Sequence, residues 1–141
     1  MRSFPYAGWL FRLTALAFIL AIAGCGSGST SPVRGKVVFK DGKPLNGGLV
    51  VFRPADQKLQ VSSRGDIHQD GTFTLGTYQE GDGAIPGKYQ AAITPPPRRK
   101  VREKPVEGPI INPRFENYDT SGLEFEVKRG PNNFTIEVDK P

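Results

Sequence analysis

Cys25 is the only thiol in the chain of 141 residues, and the residues before it leave it open to chemistry. In Ile22-Ala23-Gly24-Cys25 the small side chains at 23 and 24 let a peptidase approach the backbone. The sulfur of Cys25 is, as its thiolate, a nucleophile. With no second cysteine, an intramolecular disulfide is excluded. His68 is the only histidine, so any metal site or nucleophile–base pair must use it. Asp66-Ile-His-Gln-Asp-Gly71 spells the start of a calcium loop, with oxygen ligands at its first and fifth positions and Gly at its sixth. Yet His68 stands third, and Thr77 stands twelfth, where a bidentate Glu belongs. The favoured reading of Asp70-Gly71 is therefore a hairpin turn. Ser62 and Ser63 near His68 lack the setting of a nucleophile elbow. Glu80 and Asp82 flank Gly81, and a solvated acidic turn is favoured there over a cation site. Zinc finds no usable set of ligands. The expectation is no catalytic residue, no metal and no cofactor.

A second chemistry is purely electrostatic. In Pro95-Pro-Pro-Arg-Arg-Lys-Val-Arg-Glu-Lys-Pro105 three prolines favour a polyproline II conformation, and Arg98, Arg99, Lys100, Arg102 and Lys104 follow closely. The plain reading is a long solvated loop over about 95–120, leading to Phe115 and Tyr118 packed over a sheet end. The sharper reading is contact with anionic lipid headgroups or acidic envelope polymers, since each basic side chain near an anionic surface contributes about 1 kcal/mol.

Upstream, Arg2 and Arg12 flank Leu13 to Ala23, an uncharged run of eleven residues. A bilayer core needs about 20 apolar residues, so this run is too short to span and suits a secretory signal. Residues 1–24 are expected to be removed, residues 25–32 to form a Gly/Ser tether, and residues 33–141 to form one domain. Loss of Arg2 and Arg12 lowers the formal charge from +5 to +3. Export argues against a nucleic-acid partner. A plain signal peptide cut after Ala23 or Gly24 is the competing reading, but it leaves an unpaired thiol in an oxidising compartment.

The mature part alternates apolar and polar residues with turn signals at regular spacing. Strands are expected over Val33 to Lys40, Gly48 to Pro54, Val61 to His68, Thr72 to Leu75, Lys88 to Thr94, Leu123 to Lys128 and Phe134 to Asp139. Several short strands with one apolar face each pack as two facing sheets. The fold class is all-β: a seven-stranded (six to eight) antiparallel Greek-key-type β-sandwich.

Two resemblances add to this. Ile22-Ala23-Gly24-Cys25 resembles the lipobox of bacterial lipoproteins, which implies cleavage before Cys25 and a lipid (palmitate among its acyl chains) on the thiol. Gly rather than Asp at position 26 implies sorting to the outer membrane where the host has two membranes. Gly35-Lys-Val-Val-Phe-Lys-Asp-Gly-Lys-Pro-Leu-Asn-Gly-Gly-Leu-Val-Val-Phe52 resembles the first hairpin of carboxypeptidase regulatory-like domains, also called transthyretin-like or prealbumin-like. Asp70-Gly-Thr-Phe-Thr-Leu75, Gly83-Ala-Ile-Pro-Gly-Lys-Tyr-Gln-Ala-Ala-Ile93 and Asn133-Phe-Thr-Ile-Glu-Val138 are similar to later parts of the same domains. The resemblance implies a non-catalytic structural or interaction module at the cell envelope, with a membrane partner through Cys25 and an unknown protein or polysaccharide partner. A ligand-binding module for glycan or calcium is the alternative, with Tyr78, Tyr89 and Tyr118 as candidate stacking platforms. One transthyretin-like branch hydrolyses 5-hydroxyisourate with a histidine cluster and a C-terminal Tyr-Arg-Gly-Ser. Here the chain has one histidine and ends Glu137-Val-Asp-Lys-Pro141, so a hydrolase is the remote alternative.

Overall fold

The computed structural model describes residues 29–96 and 111–141, together with the backbone of residues 100–101 and 104–105. Its strands follow the period-two pattern, because successive side chains of a strand point to opposite faces. In β1 (Val33–Phe39), Val33, Gly35, Val37 and Phe39 are buried while Arg34 and Lys36 are exposed. The same alternation buries Val50 and Phe52 of β2 (Leu49–Pro54), Ser63 and Gly65 of β3 (Ser63–Asp66), and Phe73 of β4 (Thr72–Thr74). It buries Tyr89, Ala91 and Ile93 of β5 (Gly87–Thr94), with Ala92 also covered. The short β6 (Lys100–Val101) and β7 (Lys104–Pro105) pair only with each other. β8 (Glu124–Val127) and β9 (Asn132–Val138) complete the set.

Seven of these strands form two sheets, in the orders β4-β1-β9 and β3-β2-β5-β8. The fold is thus an all-β sandwich, with one departure from the antiparallel expectation. β1 and β9 run parallel, in register from Val33 against Asn132 to Phe39 against Val138. Antiparallel neighbours are usually joined by short turns, whereas these two strands are separated by the whole domain, so no short connection dictates their direction. Connections also differ from simple hairpins. β1 and β2 lie in different sheets, so Asp41-Gly42-Lys43-Pro44 belongs to an arch between sheets, tied by a bridge between Val38 and Pro44. The Asp70-Gly71 turn and the β8–β9 turn likewise cross from sheet to sheet. In the latter, Asn132 closes the crossing: its side-chain oxygen accepts from Lys128 N–H, and its amide donates to the carbonyls of Lys128 and Gly130.

The core is one apolar cluster centred on Phe52, whose ring stacks on Phe125 at 5.1 Å between centroids and meets Tyr89, Phe134 and Phe73 at 6.0, 6.1 and 6.5 Å. Full burial of each such side chain contributes about 1.5–3 kcal/mol. The expected loop over 95–120 has structure of its own: the β6–β7 pair, a 3-10 turn (Pro113–Glu116) and a one-turn helix α1 (Tyr118–Ser121). Asn112 and Asn117 cap these turns through their side-chain oxygens, as short helices starting on Asn require. Phe115 joins the core, as expected of a residue closing a sheet end. Ser121 ends the β5–β8 ladder by donating to the Ala91 carbonyl at 2.7 Å.

The two ends of the sandwich differ. Ser31 pairs with Ala84 through two backbone hydrogen bonds of 2.7 and 3.0 Å, so ordered packing begins before Val33. This end also holds the starts of β5 and β9 and the end of β8. Pro96 and Ile111, which bracket the basic segment, lie at the opposite end. Pro96 sits against Gly47 and Gly48, and Asn112 N–H bonds to the Asp139 carbonyl.

Candidate functional site

The side of the sandwich where β3 meets β4 is stitched shut and then opens into a groove. Arg64 and Gly76 exchange backbone hydrogen bonds of 3.0 and 2.8 Å, joining the edge of one sheet to the chain leaving the other. Gly65 has no room for a side chain there, because a Cβ would collide with the Thr74 carbonyl. Since Gly65 and Ile67 point inward, Arg64, Asp66 and His68 point outward and are exposed. Beyond Gly76 the chain turns out through Thr77, Tyr78, Gln79 and Glu80. The space between this turn and the outer face of β3 is a groove of about 670 Å³, within the range of small-ligand sites.

The turn is held rigidly. Asp82 Oδ1 accepts from Thr77 N–H at 2.6 Å, and Oδ2 accepts from the N–H groups of Tyr78 and Gln79, both at 3.1 Å. Three converging backbone donors on one carboxylate satisfy groups that the turn would otherwise leave to water. Thr77 Oγ1 donates to the Gly83 carbonyl at 2.7 Å and lies 2.7 Å from Ser63 Oγ. Gly83, with φ +92°, presses against the Ser31 backbone, where a Cβ would clash. The groove wall is therefore fastened directly to the residues that lead into β1.

Of the three tyrosines, only one is available as a platform. Tyr89 is 1% exposed and donates its hydroxyl to the Ile85 carbonyl at 2.7 Å, and burial pushes its pKa above the usual phenol value. Tyr118 is half-buried, with the Arg53 guanidinium 4.3 Å from its ring centroid; Arg53 in turn reaches Gln90 and Asp119. Tyr78 is 55% exposed on the lip of the groove. Sequence alone does not rank the three; the one signal it holds for Tyr78 is an aromatic residue between two glycines in Gly76-Thr-Tyr-Gln-Glu-Gly81.

Other candidates resolve into structural roles. Asp70 Oδ1 accepts from the Thr72 hydroxyl at 2.6 Å and from its N–H at 3.0 Å, and these bonds hold its carboxyl below the usual range. The calcium-like spelling is thus occupied by a turn. Asp82 is engaged with the backbone, so Glu80 and Asp82 do not form a shared cation cradle. Ser63 is buried and bonded to Thr77, while His68 is exposed beyond the end of β3. Among the described residues no group of three or more His, Cys, Asp or Glu side chains is placed to hold a metal. Cys25 with Ile22, Ala23 and Gly24, and Arg98, Arg99 and Arg102, lie outside the described residues; for Lys100 and Lys104 only the strand backbone is described. Among the described residues, no helix is long and apolar enough to cross a membrane.

Comparison with protein-family models, with curated proteins and with solved structures returns no match, so the chemistry of this chain rests on its own residues.

Proposed function

We propose that this chain is a non-catalytic lipoprotein, cut before Cys25, acylated on that thiol, and working as a binding or scaffold module at the cell envelope. On this reading the sandwich is of the Greek-key, transthyretin-like kind found in carboxypeptidase regulatory-like domains. One observation carries the proposal: the sandwich is fastened at Ser31, paired to Ala84, only six residues after Cys25. Six residues span at most about 20 Å when fully extended, so acyl chains on Cys25 would hold the tether end against the bilayer surface. Each buried CH₂ contributes about 0.8 kcal/mol, and two or three chains give a firm anchor where one gives a marginal one.

The basic segment fits the same picture with one refinement. Its bracketing residues, Pro96 and Ile111, lie at the end away from Ser31. That polarity favours acidic envelope material over the headgroups of the anchoring leaflet as the partner of Arg98, Arg99, Lys100, Arg102 and Lys104.

The test is mass spectrometry of the N-terminal peptide after expression in a bacterium. The expected result is a mature N-terminus at Cys25 carrying diacylglycerol mass, and loss of the protein from the membrane fraction in Cys25→Ser. An unmodified thiol, or a mature N-terminus elsewhere, overturns the proposal.

A further inference from the structure

We infer that the groove beside Tyr78 binds a neutral or amino-bearing saccharide chain, with the phenol ring stacking on a sugar face and Arg64, Asp66, His68 and Glu80 bonding its hydroxyls. The first support is the ring itself. Tyr78 is left 55% exposed by a turn that fixes its backbone through Asp82. An aromatic face held out on a rigid mount loses little freedom on binding, so less of the contact energy is offset by ordering. A pyranose presents a flat patch of C–H groups matched in size to such a ring, and a tyrosine also offers a hydroxyl at the wet end.

The second support is what surrounds the ring. Guanidinium, carboxylate and imidazole groups converge on the same groove, supplying both donors and acceptors to a ligand bearing hydroxyls on all sides. Arg64, Asp66 and Glu80 make no ion pair within 4.0 Å among the described residues. With one cation against two carboxylates, the groove repels a polyanion and accepts a neutral or amino-bearing chain.

The third support disfavours a peptide added as a strand. Such a peptide needs free backbone groups on a sheet edge. On β3 the outward N–H and C=O of Arg64 are already bonded to Gly76.

This inference goes beyond the lipid-anchor proposal and does not depend on it. Titration calorimetry on the full-length chain in sugar-free detergent micelles reads the groove, whereas acyl mass on Cys25 reads the anchor. The probes are tetramers of glucose, N-acetylglucosamine and glucosamine, with tetragalacturonate and an extended Thr/Val heptapeptide as the competing classes. The expected result is binding of at least one neutral or amino tetramer, with tetragalacturonate about tenfold weaker or worse. Tyr78→Ala should lower that affinity by about tenfold, Tyr78→Phe should largely keep it, and Tyr118→Ala should leave it unchanged. The pair Asp66→Asn and Glu80→Gln should weaken binding with the ring intact, which keeps the test decisive if Tyr78→Ala shifts the melting curve. No saccharide binding at millimolar concentration, equal affinity in Tyr78→Ala, or tighter binding of tetragalacturonate or the heptapeptide overturns the inference.

Discussion

Asp139 shows how a surface carboxylate can be given a structural role. Its Oδ2 accepts from Lys40 Nζ at 3.1 Å and from Arg114 at 3.0 Å, drawing together the end of β1, the end of β9 and the 3-10 turn. The bond from Lys40 is the main reason its carboxyl lies below the usual carboxylate range, and the charge of Arg114 adds to it. The sign of the pH dependence follows. A carboxyl with a depressed folded-state pKa favours the ionised form in the native protein, so its contribution is complete above the unfolded value of about 3.9. That contribution is lost as pH falls through the lower folded-state value. Asp70, held down by Thr72, acts in the same direction. Thermal midpoints measured from neutral pH down to strongly acidic conditions should fall steeply in the wild type below the ordinary carboxylate range. In Asp139→Asn the neutral-pH midpoint should be lower and the acid limb shallower; an unchanged acid limb would show that these ion pairs are too well solvated to matter.

At the scale of elements, Gly35 reports how closely neighbouring strands crowd the inner face of the sheet β4-β1-β9. It sits inside β1, and a Cβ there would collide with the Phe134 carbonyl and with the ring of Phe73. The position is therefore fixed by space, not by backbone conformation. Gly35→Ala should cost about 1–3 kcal/mol in urea denaturation, the range for overpacking a filled core. A cost near zero would mean that Phe73 swings aside freely. This residue also marks the limit of what the sequence discloses. Its inward placement was legible from alternation with Val33, Val37 and Phe39, because strand periodicity is a local property. The identity of the neighbours that leave it no room was not, because Phe134 comes from the far end of the chain. The same division runs through the molecule. The seven sheet strands were readable from period-two patterning to within a few residues at their ends. The assignment of β1 and β2 to different sheets, and the parallel union of β1 with β9, depend on pairings between distant segments. The groove was illegible for that reason too: Arg64 and Asp66 alternate as any exposed strand residues do, and only the fold brings the turn bearing Tyr78 across them. Asp82 was legible only as part of a solvated acidic turn, and its three backbone donors, which come from residues 77–79, were not.

At the scale of the whole molecule, the sandwich has a polarity. The described chain enters the sandwich at Ser31, and the groove wall is fastened to the same residues through Gly83 and Ala84. The far end gathers Lys40, Asp41, Lys140, Arg114 and Asp139 into exposed ion pairs. Between the two ends, β1 is the middle strand of its sheet, with β4 on one edge and β9 on the other. Ending the chain at Gly130 removes all of β9 and leaves Val33, Val37 and Phe39 without the strand that flanks them. Such a truncated chain should show no cooperative thermal transition by circular dichroism; a sharp transition would mean that the remaining strands form a core unaided. The parallel pairing of β1 and β9 also ties the completion of one sheet to the end of the chain. β1 finds its long partner only when the last dozen residues arrive, so its sheet is the last to be finished, whereas β3-β2-β5-β8 needs nothing from β9. Because the β4-β1-β9 sheet joins the two ends of the chain, the sandwich packs as a whole only once synthesis is complete, a long-range closure of the kind that slows folding.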